Sequence, residues 1–196
     1  MIALVDYRAG NLSSVKKALD HLNVDAAITS DPEVVARADK IILPGVGHFS
    51  ATAVLEETGL RSAIVESVKR GVPFLGICVG MQWMFDSSEE APETPGLGLF
   101  PGGCERFPES VKSPHVGWNT LVCDDRSRLF RGISTGSFVY FTHSYRAPLE
   151  EATVARCEYG GEFSAAVEKD CLFGVQFHPE KSGATGLKLL QNFCGL

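Results

Sequence analysis

Two alternating periodicities predict an α/β fold whose sheet is mostly parallel, with helices on both faces, and is extended by antiparallel strands in the second half. Up to about residue 86, short continuous apolar runs alternate with amphipathic helical stretches, as in βαβ units joined by right-handed crossovers. Those runs are apolar throughout rather than at alternate positions, which is how strands buried on both faces read. After residue 95, strand-like segments follow one another with turn residues between them and few long helical stretches. With 196 residues, 44% of them hydrophobic, the chain can bury a substantial core. No repeat or linker divides it, so residues 1–196 read as one domain.

The first strand is IALVDY (2–7). In NLSSVKKALDHL (11–22), Leu12, Val15, Ala18, Leu19 and Leu22 share one helical face, with Asn11 as the N-cap. The alternation continues through VDAAIT (24–29), PEVVARA (32–38), the strand KIILPG (40–45), and the helix LRSAIVESVKR (60–70), closed by Gly71. The strand PFLGI follows, then a helix expected from Val79 to Phe85, then SSEEAPETPG (87–96), expected to be a mobile loop. LGLFPGG, HVGWNTLVCDD, SFVYFTHSY, TVARCEY, FSAAVEKD and CLFGVQFH are the later strands, expected to pair antiparallel. A last helix, GLKLLQNFC, offers Leu187, Leu190 and Phe193 to the core.

A net charge of −6 and the lack of any basic run exclude nucleic acid and anionic membrane as main partners, leaving small molecules and proteins. No apolar stretch is long enough to span a bilayer, and MIALVDY has neither a basic n-region nor a cleavage site, so the chain reads as cytoplasmic. The six cysteines contain no C-x-x-C, which argues against a zinc ribbon or a dithiol centre.

Gly76-x-Cys78-x-Gly80, between a strand and a helix, has the spacing of a nucleophile elbow. Such a strained turn crowds the positions two residues either side, where only glycine fits, and the following helix favours thiolate over thiol. The alternative is a buried cysteine beside packing glycines. A thiol nucleophile needs a base, and His178 in FHPE is the candidate. Pro179 keeps His178 extended, so Glu180, two residues on, can bond one imidazole nitrogen while the other faces the sulfur. The alternative is that Pro179 and Glu180 merely open a helix. LPGVGHF (43–49) ends a strand of the parallel set, and a backbone N–H there, with that of Val79, could form an oxyanion hole. Gly45 is expected to give the Gly45–Val46 peptide the freedom to present the Val46 N–H.

With these pieces in place, the sequence resembles the class I, triad-type glutamine amidotransferases over essentially its full length. DYRAGNLSSV, LPGVG, GICVGMQ, PHVGWN, HSY and FHPEKSG occur in the family's order, and PHVGWN and KSG are similar to the glutaminase subunits of histidine biosynthesis. The resemblance implies a flavodoxin-like sheet and hydrolysis of L-glutamine by Cys78, His178 and Glu180. It implies Gly47, Gln82, His143, Ser144 and Tyr145 around the glutamine, with Glu90 or its neighbour Glu89 on the α-ammonium. It further implies heterodimer formation with a (β/α)8-barrel cyclase that receives the ammonia, faced by Asn11, His115, Trp118, Asn119 and Lys181. No cofactor or metal is implied. Three other readings stand beside it: a sibling synthase's glutaminase, a flavodoxin-like protein with a redox-sensing cysteine, and a hydrolytic metal site built from His115, His143, His178 and Glu180.

Overall fold

The computed structural model describes residues 1–196. Its first half runs β1 (Ile2–Val5), α1 (Leu12–His21), β2 (Ala26–Thr29), α2 (Pro32–Ala36), β3 (Lys40–Gly45), α3 (Ala53–Glu57), α4 (Leu60–Lys69), β4 (Phe74–Cys78) and α5 (Val79–Gln82). Then come β5 (Phe85–Ser88), β6 (Phe100–Arg106), β7 (His115–Thr120), β8 (Val122–Cys123), β9 (Phe138–His143) and β10 (Tyr145–Arg146). The chain closes with β11 (Thr153–Glu158), β12 (Glu162–Lys169), β13 (Leu172–Val175) and α6 (Gly183–Cys194). No helix is long and apolar enough to cross a membrane.

Eight strands form the main sheet in the order β2-β1-β3-β4-β13-β12-β11-β8, while β10-β6-β5 and β7-β9 form two small ones. β2, β1, β3, β4 and β13 are mutually parallel and the remaining three antiparallel, a mixed sheet of the expected kind. β1, β4 and β13 are buried at every residue, and β3 at all but its first, because helices cover both faces. Val15, Ala18 and Leu19 of α1, Leu60 and Ile64 of α4, and Leu189, Leu190 and Phe193 of α6 supply the cover. Gly71, at φ +85°, ends α4 while Val72 N–H bonds the Ser67 carbonyl.

Four expectations need correction. The helix after Cys78 lasts one turn, because the Trp83 carbonyl accepts from Leu97 N–H at 2.7 Å and the Met84 carbonyl from Leu99 N–H at 2.9 Å, leaving neither for a further helical turn. The chain instead extends into β5. Second, two later strands pair parallel, β6 with β5 and β13 with β4. Third, residues 87–96 are tied back rather than free: Gly96 N–H bonds Asp86 O at 3.0 Å and Glu90 accepts Phe49 N–H at 2.7 Å. Fourth, Leu187 is only partly buried and Leu189 takes the inner position in α6.

The parallel ladders bring three strand ends to one edge, Gly45 opposite Cys78 and Val175 opposite Ile77. A Cβ on Gly80 would overlap the Leu43 carbonyl oxygen, and one on Gly76 the Gly80 carbonyl. Gly80→Ala should therefore cost about 1–3 kcal/mol by overpacking, lowering the thermal midpoint by roughly 2–4 °C per kcal/mol in a chain of this size. A midpoint equal to wild type in differential scanning calorimetry would mean that the elbow does not need this close approach.

Candidate active site

Cys78 has φ 55° and ψ −110°, a conformation L-residues avoid, and the flanking glycines make the turn possible. Its side chain is nearly buried, at 4% exposure. Gln176 Nε2 donates to the sulfur at 3.6 Å, and the thiol lies 4.0 Å from the Thr142 carbonyl.

His178 follows β13 in extended conformation, as Pro179 requires, and its backbone N–H bonds Tyr140 O at 2.9 Å. Its Nδ1 is 2.8 Å from Glu180 Oε1, with both side chains enclosed. Pro179–Lys181 is also a 3₁₀ turn, so the helix-opening and carboxylate-partner readings hold together. Asn11 Nδ2 donates to the same Glu180 oxygen at 3.2 Å; it caps α1 by position only, with its side chain given to the carboxylate. Burial, the largest influence, lowers the His178 pKa, but the Cys78 sulfur and the Glu180 carboxylate more than reverse it, raising it to about 9. Nε2 has no hydrogen-bond partner of ordinary length, and the Tyr7 hydroxyl, buried beside Gly45, has none either. Burial, then the nearby Cys78, pushes the Tyr7 pKa up.

The sulfur opens on a cavity of about 130 Å³ lined by Val46, Gly47, Cys78, Val79, Gln82, Glu90, Thr142, His143, Ser144 and Tyr145. His178 and Glu180 stand behind the nucleophile. Glu90 lines the cavity, whereas Glu89 is spent on Arg106 N–H at 2.9 Å. Gln82 Nε2 is committed to Tyr145 O at 2.9 Å and Gln176 Oε1 at 3.0 Å. Gly47, at φ +107° with nothing near its missing Cβ, is the conformationally special glycine of its loop. Gly45 is not: its φ is ordinary, and it is glycine because a Cβ would overlap the Tyr7 hydroxyl and stand 2.7 Å from Val79 Cβ.

Of the residues expected to face a partner, Trp118 is 55% exposed, Lys181 is exposed, and Asn11 and Asn119 are half-buried. Lys181 Nζ lies 5.7 Å from the Tyr140 ring, which Trp118 meets edge-on at 6.0 Å. His115 differs from expectation. It is buried between Tyr159 and Phe141, with ring centroids at 4.0 and 4.8 Å, because β7 turns His115 inward and Val116 and Trp118 outward. Its Nδ1 lies 3.3 Å from His143 Nε2, and His143 Nδ1 donates to Tyr145 O at 2.8 Å. Burial lowers the pKa of His115 to about 4 and that of His143 to about 3, so both rings are neutral. The imidazoles of the metal-site reading thus bond one another, a carbonyl and Glu180. Gln176, Thr142 and Tyr7 were not legible as site residues; Gln176 alone had a signal, its place two residues before His178 on one side of an extended segment.

Comparison with known proteins places the chain in a family. The family model described as "Glutamine amidotransferase class-I" matches residues 3–195. The chain is 49% identical over 195 residues to the imidazole glycerol phosphate synthase subunit HisH of Moorella thermoacetica, covering 98% of this chain and 93% of the relative. It is 50% identical over 196 residues to the protein of the same name from Methanosarcina acetivorans, covering 98% and 96%. A crystal structure of a glutamine amidotransferase, 21% identical, superposes over the full length of both chains with a TM-score of 0.79, a likeness of fold.

The neutral histidines make acid sensitivity testable. With folded values near 4 and 3 and an unfolded value near 6.5, the unfolded chain takes up protons first, so stability falls as pH drops from about 6.5 towards 4. His178 acts in the other direction, adding stability as pH falls from about 9 to 6.5. His115→Gln should reduce the drop in urea midpoint between pH 7 and pH 5. An undiminished drop would place the acid-sensitive group elsewhere.

Proposed function

This chain belongs to the class-I glutamine amidotransferase family, as a glutaminase subunit of the imidazole glycerol phosphate synthase kind, and from that premise we propose that Cys78, His178 and Glu180 hydrolyse L-glutamine. The supporting observation is one juxtaposition: a nearly buried thiol on a strained elbow, at the mouth of a small polar cavity, backed by an imidazole paired to a carboxylate at 2.8 Å.

The Cys78 thiolate attacks the side-chain carboxamide carbon, forming a C–S bond and pushing its electrons onto oxygen. Backbone N–H groups of Val46 and Val79 receive that oxyanion, a contribution worth about 10²- to 10³-fold per donor in comparable sites. The tetrahedral species collapses as the His178 imidazolium gives its proton to the departing nitrogen, releasing ammonia and leaving a γ-glutamyl thioester. Neutral His178 then takes a proton from water, whose oxygen attacks the thioester. Collapse breaks the C–S bond and returns the Cys78 thiolate beside the His178 imidazolium; the new carboxyl loses its proton to solvent, where ammonia can take it, so glutamine plus water balances glutamate plus ammonium. Glu180, steadied by Asn11, holds the imidazole in one tautomer and favours its cationic form. Gly47, Gln82, His143, Ser144 and Tyr145 shape the glutamine site, and Glu90 takes the α-ammonium.

Ammonia freed into water at neutral pH becomes ammonium and loses its nucleophilicity, so the product needs a covered route to its acceptor. The outer face of β7 and β9 exposes Val116, Trp118 and Phe138 beside the cavity, with Lys181 and Asn11 nearby, an apolar patch with a polar rim. We assign it to docking of a (β/α)8-barrel cyclase in a heterodimer, which would join the ammonia to a phosphoribulosyl-formimino aminoimidazole carboxamide nucleotide to form imidazole glycerol phosphate in histidine biosynthesis.

Cys78→Ala should abolish glutamate release while the complex with its cyclase still turns over with ammonium salts; loss of both activities would contradict this division of labour. His178→Ala should cost about 10²- to 10⁴-fold. Glu180→Gln should be milder, since it keeps a hydrogen bond to Nδ1 and loses only the charge, and wild-type glutaminase rates in that variant would remove Glu180 from the mechanism. A diazoketone analogue of glutamine should label Cys78 alone. Burial pushes the other thiols up, Cys123 and Cys194 to about 11, Cys157 to about 12, and Cys104 and Cys171 likewise upward.

A further inference from the structure

We infer that Gln176 is a positioning residue for the nucleophile: its amide N–H holds and stabilises the Cys78 thiolate, and it is aimed by a buried hydrogen-bond chain through Gln82 to the Tyr145 carbonyl. Gln176 is fully buried. It follows β13 directly, and the register that sets Val175 against Ile77 brings it level with Cys78. Its Nε2 is 3.6 Å from Sγ, the one donor within hydrogen-bond range of the sulfur. Since Gln176 is not among the residues lining the cavity, it acts on the sulfur and not on the glutamine.

The orientation of that amide follows from the chemistry of its partners. Tyr145 O can only accept, so Gln82 must turn its Nε2 towards it, at 2.9 Å. The same nitrogen then donates to Gln176 at 3.0 Å, which fixes Oε1 on that side and leaves Nε2 facing the sulfur. Tyr145 O receives a second bond, from His143 Nδ1. In a neutral ring the other nitrogen must accept, so His115 Nδ1 donates to His143 Nε2 at 3.3 Å and His115 Nε2 accepts from Asn119 Nδ2 at 3.5 Å. Two runs of hydrogen bonds thus converge on the Tyr145 carbonyl, one from Asn119 through His115 and His143 and one from Gln82, and it is the second that sets the orientation of Gln176. A network satisfied in this way fixes its terminal donor before the reaction begins.

A donor aimed at sulfur favours the thiolate. The thiol lies 4.0 Å from Thr142 O, a long contact, whereas the thiolate keeps the Gln176 bond and gains strength from its charge. The titratable groups facing the sulfur are His178 after β13, Tyr7 after β1, His143 on β9 and Glu90 after β5. Of these, cationic His178 also favours the thiolate, and Gln176 adds a fixed neutral donor at 3.6 Å.

The inference rests on the glutaminase reading for its consequence in catalysis, but its test does not. The rate of Cys78 alkylation by iodoacetamide, followed by mass spectrometry across pH, reports thiolate formation in the full chain without glutamine or cyclase. Gln176→Met should raise the midpoint by about 1–2 pH units, the size of a hydrogen bond to a charged group; that midpoint belongs to the Cys78–His178 pair. In the complex with the cyclase, kcat for glutamine should fall about 10- to 100-fold with KM within about twofold. Gln176→Glu, which keeps the acceptor for Gln82 and sets a carboxylate against the sulfur, should raise the midpoint further, and it decides the question should Gln176→Met not fold. A folded variant of either kind with the wild-type midpoint overturns the inference. Absence of glutamate release from the wild-type complex would instead overturn the glutaminase reading, leaving the alkylation result to stand by itself.

Discussion

β4 and β13 pair residue by residue, Leu172 with Phe74, Phe173 with Leu75, Gly174 with Gly76 and Val175 with Ile77. About a hundred residues separate the two strands in sequence, yet closing so long a loop costs only logarithmically more than closing a short one. Both strands are wholly buried, so burial of their apolar side chains offsets that cost. Because the pairing is parallel, both strands leave the sheet at the same edge. Cys78 emerges from one, and Gln176 and His178 from the other. An antiparallel pairing would have sent His178 to the far edge, where Glu180 would orient an imidazole with nothing to deprotonate. The glycines facing each other in this ladder have a second role: Cβ atoms at Gly76 and Gly174 would press on the backbone and Met81 of α5, so the short helix can close down on the sheet only over glycine.

Two kinds of buried histidine occur around the site, and their surroundings drive their pKa values apart. His178 faces a carboxylate and a thiol and is held cationic, with its pKa raised to about 9. His143 and His115 lie among Phe107, Phe141, Tyr159 and Phe163 with no anion at hand, and burial keeps them neutral. A neutral imidazole has one donor and one acceptor, which lets a chain of hydrogen bonds carry a definite direction. A cationic one has two donors, which suits a group that must shed a proton to a leaving nitrogen. The same side chain thus fixes neighbouring tautomers in one place and, under the proposed mechanism, serves as the acid in the other.

The parts of the site that were legible in the sequence are those whose physical reason is local. Cys78 was visible because a strained turn needs glycine two residues away on each side, and His178 with Glu180 because Pro179 fixes the geometry between them. The alternating runs up to β4 were legible because burial on both faces imposes composition directly. Gln176 was hidden because its role depends on the register between β13 and β4, which no local pattern encodes. His115 was expected to face a partner because the resemblance takes PHVGWN as a unit. Its alternation carried the correct message, with His115, Gly117 and Asn119 on one side and Val116, Trp118 and Thr120 on the other. That inverts the usual order of polar outside and apolar inside, and such an inversion occurs where a strand's outer face awaits a partner.

The glycines of the loop after β3 divide a task that the sequence had given to one of them. Gly45 is confined by Tyr7, Val79 and Gly80, and its φ lies outside the left-handed region, so it anchors the loop against the elbow. Gly47 has positive φ and empty space around it, and Val46 between them stands exposed at the cavity rim. Freedom in this loop therefore begins beyond Gly45. A partner seated on the adjoining β7–β9 face, as proposed, could turn the Val46–Gly47 segment while the packing around Gly45 and Cys78 stays fixed, so the geometry of the proposed nucleophile would not be disturbed by changes in its proposed oxyanion donor.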